Sequence, residues 1–153
     1  MRAVRSLALL ALLMASAAAT ASPFGSLFAG ERPATVGTGT LAPCPATPNC
    51  VASRATDDEH KVAPIAFRGD PAAAMRRLAE AAASLPGARV ATSRPDYLHV
   101  EVASRFWGFV DDLEVVPDAS GVLHVRSAAR LGRSDLGVNR ARVEALRAAM
   151  AGG

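Results

Sequence analysis

The chain has 153 residues, room for one domain of ordinary size that can bury a real core. Half of its residues are apolar, and 17 basic against 14 acidic side chains give a formal charge of +3. Nothing in that balance demands nucleic acid, and the length excludes a second large domain.

The N-terminus, "MRAVRSLALLALLMASAAATA", has the layout of an export signal. Arg2 and Arg5 precede an apolar run from Ser6 to about Ala19 that is short for a bilayer span. Ala19-Thr20-Ala21 then supplies small residues at a cleavage site. Cleavage is expected after Ala21, with Ala19 the next choice and an uncleaved anchor the alternative. No cysteine follows the run to carry a lipid. Loss of residues 1–21 removes two arginines and no acids, so the basic balance is partly the leader's. The expected location is the periplasm or the cell exterior, which argues further against nucleic acid. No later apolar run is long enough for a transmembrane helix.

Residues 22–42 mix Gly, Pro, Ser and Thr without a period and read as a flexible arm or linker. Cys44 and Cys50 follow, in "CPATPNC". Their even number and the oxidising compartment point to a structural disulfide across a small loop. A metal pair is the poorer alternative with two thiols, and the spacing is not that of a C-x-x-C redox pair. Residues 57–60, "DDEH", form an acidic turn. "KVAPIAF", 61–67, suits a short strand that Pro64 confines to a sheet edge.

Residues 43–150 are expected to form one domain. Asp70 and Pro71 open a helix whose inner face is Met75, Leu78, Ala79, Ala82 and Leu85, ended by Pro86-Gly87. Alternating segments then predict strands at Arg89–Ser93, Tyr97–Ser104, Phe106–Val116 and Val122–Ala129. Asn139 is placed to cap a last helix, Arg140–Met150, with Val143, Leu146 and Met150 inward. The expected class is α+β: an antiparallel meander of about four strands, with a helix before it and a helix after it packed on one face.

Alternation sorts the strand side chains. Leu98, Val100, Val102, Trp107, Phe109, Leu113, Val115, Leu123 and Val125 share the core parity. Tyr97, His99, Glu101, Asp112, Glu114, His124 and Arg126 share the other, expected to be a polar face shown to water. If the "PDASG" turn pairs Val116 with Val122, Glu114 faces His124 and Asp112 faces Arg126; the preceding hairpin then sets His99 beside Glu114 and Glu101 beside Asp112. A minor alternative uses His99, Glu114 and His124 as ligands for zinc or iron. Asp111 has core parity, so it is either re-aimed by a bulge at Gly108 or buried against an arginine such as Arg126, Arg130 or Arg133.

The stretch "VRSAARLGRSDLGVNRARVE", 125–144, carries Arg126, Arg130, Arg133, Arg140 and Arg142 with Gly132, Gly137 and Asn139. Its glycines permit positive φ, and free N–H groups near Asn139 beside the arginines suit a phosphate or carboxylate. The competing reading is an ion-pair network of these arginines with Asp111, Asp112, Asp135 and Glu144. "CPATPNC", "YLHVEVASRFWGFVDDLEV" and "VRSAARLGRSDLGVNRARVEALR" together resemble the secreted and plastid proteins grouped as domain of unknown function 1499. The resemblance spans about residues 41–148; Ala129 stands where the pattern often has serine. It implies a fold-sized unit and no reaction.

No G-x-S-x-G elbow, H-E-x-x-H or P-loop is present. The expectation is an exported binding module that needs no cofactor. It recognises a small anionic group or an envelope partner through Arg126, Arg130, Arg133, Asn139 and Arg140, with Asp111 and Asp112 beside them. A metal-assisted hydrolase on the polar face and a structural envelope factor are the alternatives.

Overall fold

The computed structural model describes residues 28–152; the expected signal segment 1–21 and residues 22–27 of the arm lie outside them. The elements are β1 (Cys50–Ala52), β2 (Ile65–Ala66), α1 (Pro71–Ala83), β3 (Ala88–Arg94), β4 (Tyr97–Ala103), β5 (Val110–Asp118), β6 (Val122–Ala129) and α2 (Val138–Ala151). The protein is α+β. Strands β3 to β6 make the antiparallel meander, and the short β1 and β2 both pair along the outer side of β6. The "KVAPIAF" strand is therefore an edge strand of two residues, and β1 is too short to show a period.

Helix α1 starts where its sequence requires. The Asp70 carboxylate accepts from the Ala72 and Ala73 N–H groups, and Pro71 sits where a missing N–H costs nothing. Met75, Leu78 and Ala82 pack with Val143, Leu146 and Met150 of α2 over Leu98, Val100, Leu113, Val115, Leu123 and Val125. Both helices cover that one face. Gly87, at φ +76°, turns α1 into β3 so close to the Ala103 carbonyl that no side chain fits.

Three expectations are corrected. Strand β5 begins at Val110 rather than Phe106, so Trp107 (62% exposed) and Phe109 (39%) belong to the β4–β5 turn and leave the core. The β5–β6 hairpin closes through Ala119-Ser120-Gly121, because Pro117 and Asp118 continue the strand and Gly121 supplies the positive φ. Glu114 therefore pairs with Arg126, Asp112 with Ala128 and Val116 with His124. Helix α2 starts at Val138; Asn139 lies inside it, and the Asp135 carboxylate takes the capping role by accepting from the Gly137 and Asn139 N–H groups.

The second sheet face is not open to water. Tyr97, His99 and Glu114 are fully buried there, with Asp112 and Arg126 nearly so. The arm meets it: the Gly37 N–H donates to Tyr97 Oη at 2.8 Å and Val36 is buried.

Candidate functional site

On that covered face, β4 and β5 set His99 beside Glu114 and Glu101 beside Asp112, as the alternation predicts. Their side chains link diagonally. His99 Nε2 lies 2.7 Å from Asp112 Oδ1, while Tyr97 Oη donates to Glu114 Oε1 at 2.5 Å and Arg126 to Glu114 Oε2 at 3.3 Å. Arg130 reaches back from the end of β6. Its Nε donates to Asp112 Oδ2 at 2.8 Å and its Nη2 to Asp112 Oδ1 and Glu101 Oε1, both at 2.7 Å. Arg89 holds the other Glu101 oxygen.

These contacts decide the charges. Burial by itself raises the Asp112 carboxyl, but the Arg130 and His99 hydrogen bonds outweigh it and hold Asp112 below the usual range. Glu101 is lowered in the same way, burial opposing and Arg130 and Arg89 prevailing. The Tyr97 phenol is pushed well above its usual value, first by burial and then by Glu114.

The expected metal ligands are not brought together. His99 and Glu114 are cross-strand neighbours, but His124 Nδ1 bonds Ser53 Oγ at 3.0 Å on the outer strands. A different set, His99, Glu101 and Asp112, has donor atoms within 4.8 Å of one another. Arg130 already bridges two of its carboxylates with the positive charge a cation would supply. His99 Nδ1 and Arg126 Nε are the buried polar atoms without a partner among the described residues. His124, with Ser53, which the sequence did not single out, resembles part of a nucleophilic triad with Asp118. The Asp118 oxygen is 3.7 Å from His124 Nε2, too long for a hydrogen bond, and Ser53 Oγ also accepts from the Val125 N–H. The contact fastens β1 to β6.

On the core face a second cluster joins all three motif segments. Asp111, at the start of β5, accepts from Arg142 Nη2 at 2.7 Å. Its partner is Arg142 rather than Arg126, Arg130 or Arg133, because Asp111 points toward α2 while Arg126 and Arg130 serve the opposite face. No bulge at Gly108 turns it away. Arg142 Nη1 donates to Ser127 Oγ at 2.9 Å and to Asn139 Oδ1, which Ser127 Oγ also bonds at 2.5 Å. Asn139 Nδ2 reaches the Asn49 carbonyl at 3.4 Å, and Asn49 Nδ2 donates to the Gly132 carbonyl at 2.7 Å. Asn49 precedes Cys50, which is disulfide-bonded to Cys44.

The residues expected to hold a ligand thus divide. Arg126, Arg130 and Asp112 serve the covered face; Asn139 and Asp111 serve the core-face cluster. Arg140 donates to the Lys61 and Glu59 carbonyls at 2.7 and 2.8 Å, and Glu144 bonds Arg147 rather than Arg140. Arg133 alone stands exposed on the loop.

Beside the core-face cluster lies an open groove of about 850 Å³, between the start of β3, the β4–β5 turn and the start of α2. Ala88, Val102, Val110 and Val138 give it apolar walls, and Asp111 and Arg142 line it. Arg89, Glu101 and Arg105 also line it. The Arg105 guanidinium lies 5.8 Å from the centre of the Phe106 ring and has no carboxylate partner among the described residues. Three arginines against two carboxylates leave the groove one positive charge. Sequence reading missed it because Ala88, Arg105 and Val138 are far apart in the chain; the one signal was Arg142 three residues after Asn139.

These features define an α+β protein, stapled by the Cys44–Cys50 disulfide, whose motif residues fasten loops and a helix to the sheet beside a groove. The chain belongs to the family described as Protein of unknown function (DUF1499), whose model matches residues 40–150. No curated protein and no solved structure matches it.

Proposed function

We propose that the protein is an exported binding module that takes a small amphipathic anion, a carboxylate or phosphate with an apolar body, in the groove beside Arg105. The observation that carries this reading is an apolar-walled groove with one uncompensated guanidinium. The arginines of residues 126–140 support it less directly, since Arg126, Arg130 and Arg140 have partners inside the protein. Export is supported by the leader pattern and by the Cys44–Cys50 bond, which suits an oxidising compartment. Among the described residues no helix is long and apolar enough to cross a membrane.

Calorimetric titration with octyl phosphate tests the reading. Arg105→Ala should weaken binding by about 1–3 kcal/mol, the worth of a charged hydrogen bond, while Arg140→Ala should leave it unchanged. Equal affinity of wild type and Arg105→Ala would remove the groove from consideration.

A further inference from the structure

All the large apolar side chains that stand exposed among the described residues come from two loops. Phe106, Trp107 and Phe109 lie in the β4–β5 turn; Leu131, Leu136 and Val138 lie between β6 and the first turn of α2. The pairing of Ala103 with Val110 and of Asp111 with Ala129 brings both loops out of the sheet at one end. Ordinary surfaces scatter such residues singly, so their gathering at one end marks a contact surface.

The loops are built to hold these residues out. Leu136 is 93% exposed at φ +54°, a conformation uncommon for a non-glycine residue. Its turn is pinned by Asp135, which accepts from the Gly137 and Asn139 N–H groups, and by Ser134 Oγ, which accepts from the Leu136 N–H. With the Asp135 carboxylate turned inward, Arg105 and Arg133 are the outward charges of the two loops.

Phe28, the first residue described, has its ring 5.5 Å from that of Phe109, and a side chain at Gly30 would strike Leu131. The described chain therefore starts at this same end. Tryptophan, leucine and phenylalanine flanked by arginine is the composition that lies in the headgroup boundary of an anionic bilayer.

We propose that this end of the molecule docks on an anionic phospholipid surface, with Trp107, Leu131, Leu136 and Val138 entering the headgroup boundary and Arg105 and Arg133 meeting the lipid phosphates. The surface shares Arg105 and Val138 with the groove but needs no ligand in it, and Leu136, outside the groove lining, separates the two tests. Trp107 is the single tryptophan and reports its own depth.

The test uses the protein in the form its own cells contain, mixed with vesicles of phosphatidylglycerol and phosphatidylcholine carrying brominated acyl chains. The expected result is a blue-shifted Trp107 emission quenched by the bromines, and about tenfold weaker partition for Leu136→Asp, the loss of one buried leucine. Because Leu136 touches solvent, its variant should keep the wild-type melting temperature. Three results would overturn the proposal. One is flotation without quenching of Trp107, which assigns the attachment to the N-terminal run alone. Another is unaltered partition of Leu136→Asp. The third is a Trp107 that stays in water on vesicles yet is shielded by an envelope protein.

Discussion

Asp111 and Arg142 form a 2.7 Å ion pair between the start of β5 and the second turn of α2, with Arg142 also holding Ser127 and Asn139. The pair fixes the helix against the sheet edge that borders the groove. A buried charge whose partner is removed is expensive. Arg142→Ala should cost about 3–5 kcal/mol in urea unfolding, and Asp111→Ala/Arg142→Ala less than the sum of its singles. Additive costs would mean that the two side chains do not interact.

Acid should weaken the protein through the covered face. Asp112 and Glu101 have folded pKa values below their unfolded ones, so their contribution is present above the unfolded values. It is lost as pH falls through the depressed folded values, below about pH 4. Asp111, raised by burial against the pull of Arg142, has the opposite sign and gains as pH falls. Asp112→Asn should flatten the acid side of the stability curve. A curve parallel to wild type below pH 4 would count against the Arg130 clasp.

Tyr97 links the covered face to the arm by donating to Glu114 and accepting from the Gly37 N–H. Tyr97→Phe should lose about 1–3 kcal/mol, because Glu114 keeps only Arg126 in a buried site. Amide exchange at Gly37 should quicken more than in α1. Unchanged protection there would show that Val36 alone holds the arm.

The Cys44–Cys50 bond closes a short loop, so reduction should cost about 2 kcal/mol and no more. The loop also presents Asn49 to Gly132 and Asn139. Reduction should therefore disturb amides at 130–139, far away in sequence. An effect confined to residues 43–51 would separate the loop from the motif it contacts.

Alternation was enough to find the four long strands, their two faces and the His99–Glu114 neighbours, because a period of two survives any local detail. It could not say where β5 starts: Phe106, Trp107 and Phe109 have β propensity, and only the tertiary context leaves them in a turn. It misread the polar face as wet. Tyr97, His99, Asp112 and Glu114 look like solvent-facing residues one by one, yet Arg126 and Arg130 satisfy the carboxylates and the arm meets Tyr97. The hairpin register slipped because Pro117 and Asp118 signal a turn yet remain strand residues. Of the ion-pair network expected in the arginine loop, Arg130 does hold Asp112, but Asp111 pairs with Arg142, Glu144 with Arg147, and Asp135 accepts from backbone N–H groups instead of an arginine.

Occupation of the groove by an amphipathic anion can be followed through amide chemical shifts of the labelled protein during an octyl phosphate titration. The predicted result is saturable shifts confined to residues 87–89, 102–105, 110–111 and 138–142, weakened by Arg105→Ala. Shifts centred on residues 130–133, or shifts that never saturate, would contradict it.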